Sequence, residues 1–250
     1  MRSMEDELDF FFDKIMDSEP FALSRWGDGE YRLVNSIALE RDAEQNHVWN
    51  FDPTDEYQIE CAKLITDSLI YEDEGLYWGI TCPDCEVCNV SGWGHYNLYE
   101  NKENLTYASI FVNANHEETQ RTLPYLLKGK TIAFVGNKLA KINQLPFHVD
   151  RHFTVGNNAW LNDLEILEDL RDYLESLDST STILLFACGP LSNYLITELW
   201  KENKEHFLID IGSAFDVDIY NRPTRGFHSG KGGFGKTCQW MEGINTRFDK

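Results

Sequence analysis

The stretch Phe21-Ala22-Leu23-Ser24-Arg25-Trp26-Gly27-Asp28-Gly29-Glu30 decides how the chain reads. Its first four residues predict a short strand that alternates larger apolar and small side chains, and residues 31–37 can follow as a helix with Leu33, Val34 and Ile37 on one side. The hexapeptide between them, Arg25 to Glu30, is then a strand-to-helix turn carrying two carboxylates. Gly27 and Gly29 remove side-chain bulk where the phosphates of a ligand would come close. In an extended turn, residues i and i+2 project the same way, so Asp28 and Glu30 can reach one cation. Hard oxygen ligands on an open loop suit Mg²⁺ or Mn²⁺ bridging to a diphosphate. Asp-Gly is also a common turn former, and Arg25 with Glu30 can make a surface ion pair. The hexapeptide alone leaves both readings open.

Working outward, the same alternation of strand and helix recurs. Ser3 can cap a helix reaching Met16, with Leu8, Phe11, Phe12 and Ile15 as its apolar stripe. Helical spacing returns over residues 56–70, over 116–127 behind a cluster of acids, and after Gly156-Asn157-Asn158. Near-continuous apolar runs at 76–80, 107–112, 131–135, 183–188 and 207–212 predict strands covered on both faces. Gly136-Asn137-Lys138 ends one of these strands. Gly189-Pro190 turns another into a helix, where proline lacks only an amide that would be unpaired anyway. The pattern predicts an α/β fold of Rossmann-like type, a mostly parallel sheet with helices on both faces. Ligands of such sheets bind at the carboxyl ends of the strands. That edge would collect Asp28, Glu30, Gly136-Asn137-Lys138, Gly189-Pro190 and Asp210-Ile211-Gly212-Ser213, a set suited to phosphate and a cation. Trp49 and Phe51, in a polar stretch, can pack onto the body or lie over a ligand.

With 250 residues, 26% of them charged, and no repeat or low-complexity linker, the chain reads as one domain over 1–250 with a glycine-rich, basic tail from about 221. The net charge of −20 argues against a general nucleic-acid coat or an anionic membrane as partner. No apolar run approaches the ~20 residues of a membrane span. The acidic opening, Glu5, Asp6, Glu7 and Asp9, is unlike a secretory signal. Six cysteines without such a signal read as reduced thiols of a cytoplasmic protein.

Two other motifs compete for attention. Cys82, Cys85 and Cys88 have zinc-like spacing but no obvious fourth ligand, and they support an alternative in which the chain is a non-catalytic, zinc-stabilised binding module. Residues 230–237, GKGGFGKT, match the letters of a P-loop, yet no buried strand precedes them and too little chain follows to supply the acidic strand that holds Mg²⁺. The tail's Arg222, Arg225, His228, Lys231 and Lys236 can instead meet a phosphate-bearing ligand.

Arg25-Trp26-Gly27-Asp28-Gly29-Glu30 resembles the D-x-E signature of the GT-D-type glycosyltransferases, whose usual version has Phe where Trp26 stands. The resemblance extends to residues 184–190 and 207–212, so it covers most of the chain. It implies a hexosyl- or pentosyltransferase with a nucleotide-sugar donor, usually a uridine diphosphate sugar, and Mn²⁺ or Mg²⁺ held by Asp28 and Glu30. Arg25, Arg225 and His228 would contact the donor diphosphate, and Asp216 or Asp218 would deprotonate the acceptor hydroxyl. Some members carry His where this chain has Ser213. Similar proteins occur in viruses and phages, which leaves a saccharide, a protein or a modified DNA base as acceptor, the host cytoplasm as a location, and self-association open.

Overall fold

A computed structural model describes residues 2–40, 49–81, 104–177 and 181–229. The cysteine loop at 82–88 and the P-loop-like letters at 230–237 lie outside them. Helix α1 (Met4–Met16) starts where Ser3 Oγ accepts the Asp6 N–H at 3.1 Å and buries Leu8, Phe11, Phe12 and Ile15. Strand β1 (Ala22–Trp26) leads through Gly27 into α2 (Asp28–Val34), and α3 (Glu56–Ile70) leads to β2 (Leu76–Ile80). β3 is short (Leu105–Tyr107) and precedes α4 (His116–Leu126). Then follow β4 (Ile132–Asn137), β5 (Arg151–Val155), α5 (Ala159–Asn162) and α6 (Ile166–Glu175). The last elements are β6 (Ile183–Ala187), α7 (Pro190–Glu202), β7 (Phe207–Asp210) and α8 (Asp216–Tyr220).

The seven strands form one sheet in the order β3-β2-β1-β7-β6-β4-β5, and every pairing is parallel. Parallel neighbours need crossover connections, and right-handed crossovers running in opposite directions put their helices on opposite faces. The packing agrees: α2, α3, α5, α6 and α7 contact one another as one layer, while α1 packs with α4. Covered on both faces, the central strands run nearly continuously apolar, and β4 and β7 are buried throughout, with the polar Asn137 and Asp210 only at their carboxyl ends. Trp26, Trp78, Phe134, Phe186 and Phe207 are all shielded from solvent within one continuous core.

Three expectations shift, and one of two open readings is settled. The helix after the hexapeptide begins at Asp28 rather than Tyr31, so both carboxylates lie within it. The apolar run at 107–112 leaves the sheet after Tyr107 and turns, with Ile110 N–H bonded to Tyr107 O and Val112 N–H to Ser109 O. Gly136 and Asn137 continue β4 instead of ending it, because β5 pairs with both of them and β6 with Gly136. Trp49 and Phe51 are buried, and both rings stand edge-on to Trp160 at 6.3 and 5.8 Å, so they pack onto the body. Among the described residues, no helix is long and apolar enough to cross a membrane.

Phe186 lies in the middle of the sheet between β7 and β4 and is fully buried. Phe186→Ala is expected to cost about 3–5 kcal/mol, seen as a lower urea midpoint at an unchanged m-value.

Candidate functional site

Strands β1 and β7 are neighbours, but the chain leaves them toward opposite helical layers: β1 into α2, β7 toward α8, which packs on the turn at Ile142–Gln144. Such a switch point opens a crevice at the carboxyl ends of the two strands. Arg25 of β1 and Asp210 of β7 meet at its floor, with Arg25 Nη1 3.9 Å from Asp210 Oδ1. Arg25 Nε also donates to the carbonyl of Ala108 at 2.5 Å. The Arg25 backbone carbonyl accepts from Asn193 Nδ2 at 2.8 Å, and the same amide reaches Ser24 Oγ at 2.9 Å. Asn193, fully buried in the first turns of α7, thus ties that helix to the end of β1.

Burial sets the electrostatics. It pushes the Asp210 carboxyl up to about 6, against the opposing pull of Arg25 and of the Gly212 N–H, which donates to Asp210 Oδ1 at 2.8 Å. Burial also lowers Arg25, with Asp210 and then Glu30 pulling the other way. Arg25 Nη1 is buried and has no hydrogen-bond partner among the described residues. Gly212 is required here: its φ is +50°, and a Cβ would collide with the guanidinium.

The acidic pair sits beside this floor in an unexpected arrangement. Asp28 is exposed at the first position of α2. Glu30, at the third, turns back so that Oε2 accepts the Gly27 N–H at 3.0 Å, the reciprocal half of a capping box. Positions one and three of a helix point about 200° apart, so the two do not project together as they would from an extended turn. Gly27 serves the cap, since a Cβ there would lie 3.0 Å from Glu30 Oε2. Gly29 is buried within the helix. Among the described residues, no three His, Cys, Asp or Glu side chains cluster as a metal cage. One exposed carboxylate and a second shared with a cap do fit a cation held mainly by a diphosphate.

The segment after β7 folds back over the crevice. Thr224 Oγ1 donates to Asp216 Oδ2 at 2.5 Å. His228 Nδ1 accepts the N–H groups of Thr224 and Arg225, both at 3.2 Å, so its proton sits on Nε2, which donates to the Ser213 carbonyl at 3.0 Å. Burial pushes this histidine down to about 4, and it is neutral at pH 7. Both ring nitrogens of His228 therefore clasp the returning loop. Arg225 faces Arg25, Asp216 and His228 electrostatically. Asp216 is raised by burial, and Asp218, also raised by burial, faces His116. Sequence reasoning missed His116 and Gln120, whose side chains both meet the Ala214 carbonyl, at 3.1 and 2.6 Å. It also missed Asn193; a polar residue one turn beyond Gly189-Pro190 was the available signal.

The remaining candidates lie apart. Gly136 and Asn137 are the last residues of β4 and Lys138 follows it, and β4 is separated from β7 by β6, roughly 10 Å across the sheet. Gly136 makes room for the Phe134 ring, and the Asn137 Oδ1 accepts the Leu139 N–H at 2.9 Å. Lys138 is exposed. Gly189, at φ +63°, lies under Trp49, whose indole would stand 3.1 Å from an added Cβ.

An all-parallel α/β sheet with a charged crevice at its switch point defines the class of fold that holds nucleotide ligands at its strand ends. Solved structures narrow it. The chain is similar to a structure described as a new glycosyltransferase (DUF1792) from Streptococcus sanguinis, with 18% identity, a TM-score of 0.58, and coverage of 100% of this chain and 94% of that one. A second, described as showing that the highly conserved domain of unknown function 1792 has a distinct glycosyltransferase fold, gives 17% identity, a TM-score of 0.55, and 96% and 89% coverage. A selenomethionine structure of the same domain gives 16% and 0.54 at the same coverage. The fold is thus that of the DUF1792 glycosyltransferases, the GT-D architecture that the hexapeptide resembles. No family model matches the chain, and no curated protein matches it in sequence.

Two measurements test this site. The native state holds the Asp210 proton more tightly than the unfolded chain does, so this group's stabilisation is complete below its unfolded value of 3.8 and is lost as pH rises toward about 6. The difference in urea stability between wild type and Asp210→Asn is expected to change across that window and to level off above it. Separately, Glu30→Ala is expected to lose about 1 kcal/mol of stability with the cap, while Glu30→Gln, which can still accept the Gly27 N–H, keeps most of it.

Proposed function

We propose that the chain is a metal-dependent glycosyltransferase that moves a sugar from a nucleotide-sugar donor, foremost a uridine diphosphate sugar, to a hydroxyl acceptor in the cytoplasm. The observation that carries this reading is the buried Arg25 guanidinium at the β1/β7 crevice, with an Nη1 that finds no hydrogen-bond partner among the described residues. A phosphate oxygen supplies what that N–H lacks, and charge-assisted bonds of this kind are among the stronger ones. Asp28, exposed at the lip of the same crevice, supports a cation there, and the likeness to structures described as glycosyltransferases supports the reaction class.

Asp28 would be the principal protein ligand of Mn²⁺ or Mg²⁺, with Glu30 beside it. When bound, the cation supplies Lewis-acid neutralisation of the charge that develops on the departing nucleoside diphosphate. Arg25 and Arg225 act on the same oxygens, Arg25 from the floor and Arg225 from the returning segment. Of the two candidate bases, Asp216 faces Arg225 and so the crevice, whereas Asp218 faces His116. Asp216 takes the acceptor's proton as that oxygen bonds to the anomeric carbon and the bond to diphosphate breaks. A pKa raised by burial moves it toward the operating pH, as a general base requires. A saccharide, a protein or a modified nucleic-acid base can each present such a hydroxyl; the charge of −20 weighs against nucleic acid.

Calorimetry with UDP and a panel of UDP-sugars, with and without Mn²⁺, tests the reading. Mn²⁺ is expected to tighten UDP binding at least tenfold in wild type and to have no such effect in Asp28→Asn. Equal affinity in all four combinations would remove the metal-donor assignment.

A further inference from the structure

The sheet ends at β5, which has β4 as its single neighbour among the described residues. The Val155 carbonyl accepts the Lys138 N–H and so points toward β4. Alternation along the strand then turns the N–H and C=O groups of Thr154 and His152 to the open side. An unpaired edge of this kind is a template for another strand unless something covers it. A groove of about 650 Å³ runs along it, formed by residues 151–154 of the strand and by Asp163, Glu165, Asp169, Asp172 and Tyr173 from the α6 side.

The groove's charge is one-sided. Glu165, Asp169 and Asp172 are four and three residues apart and form a single stripe along the helix. All three are exposed, and none has an ion-pair partner among the described residues. Glu168, which borders this stripe but does not line the groove, is paired with Arg171, which also bridges to Glu202 of α7. The lining itself is left negative, with Asp163, Glu165, Asp169 and Asp172 set against Arg151 and His152. The helical rise spaces these carboxylates about 6 and 4.5 Å apart along the axis. Alternate side chains of an added strand repeat every ~6.8 Å, so basic residues at i and i+2 would each meet a carboxylate.

We propose that the β5 edge is a docking site for an extended segment of a partner protein, which adds a strand to the sheet and sets lysine or arginine at alternate positions against Glu165, Asp169 and Asp172. The backbone ladder to His152 and Thr154 supplies attachment, and the acid stripe supplies selectivity. A second copy of this chain is the poorer occupant, because twofold pairing of the edges would bring the two acid stripes together. This surface is separate from the β1/β7 crevice and does not rest on the glycosyltransferase reading.

The test uses the full chain and a fluorescent six-residue peptide alternating lysine and threonine, followed by anisotropy at about 0.1 M salt, where exposed charges still act over ~10 Å. The triple substitution Glu165→Lys, Asp169→Lys, Asp172→Lys, confined to exposed side chains, is expected to weaken binding at least tenfold. N-methylation of alternate peptide amides is expected to do the same, and bound peptide is expected to protect the His152 and Thr154 amides from hydrogen exchange. Undiminished binding of the N-methylated peptide, or no protection at those two amides, would mean simple attraction to an acidic surface and overturns the proposal. A dimer of the unliganded chain that protects the same amides gives the edge to a second copy and overturns it too.

Discussion

The buried pairing of Arg25 with Asp210 is the contact on which the middle of this molecule depends. It joins the two strands that diverge at the switch point, and it places a charge of each sign where neither would be tolerated alone. Removing one partner from such a pair costs more than the pair contributes, because the other charge is stranded. The surroundings limit that cost: Asp210 receives the Gly212 N–H, and Arg25 Nε reaches the Ala108 carbonyl. Gly212, at φ +50°, leaves the guanidinium room that a Cβ would take. The crevice floor is therefore built from strand ends, which hold their geometry better than loops do.

Around that floor, the chain closes over itself by hydrogen bonds rather than by apolar packing alone. His228 pins its own loop to Ser213, Thr224 pins it to Asp216, and His116 and Gln120 hold the adjoining Ala214 carbonyl from α4. Asn193 performs the equivalent service for β1 from the opposite layer. Segments from both helical layers thus converge on the ends of two neighbouring strands. Residues already bonded in this way, His228 above all, act on a ligand through position and field rather than through an open ring nitrogen.

The polarity of the sheet separates its functions in space. Its middle carries the charged crevice, one edge is short and buried at β3, and the other, β5, presents, among the described residues, unpaired backbone beside acid without ion-pair partners. Glycines divide along similar lines. Gly136 and Gly189 accommodate Phe134 and Trp49, whereas Gly27 and Gly212 leave room for Glu30 and Arg25.

What the sequence alone determined was the alternation of strands and helices. Continuous apolar runs can be satisfied only between two covering layers, and Ser3 and Gly189-Pro190 mark helix starts by local chemistry. Periodicity and capping act over a few residues, so they are written in the chain. The tertiary structure decided the rest: that Glu30 reaches back to a cap, that Arg25 is buried beside a residue 185 positions away, and that Gly136 continues a strand. Those outcomes depend on which strands become neighbours. That order follows from the crossovers and from burial of the whole core, which no short stretch encodes.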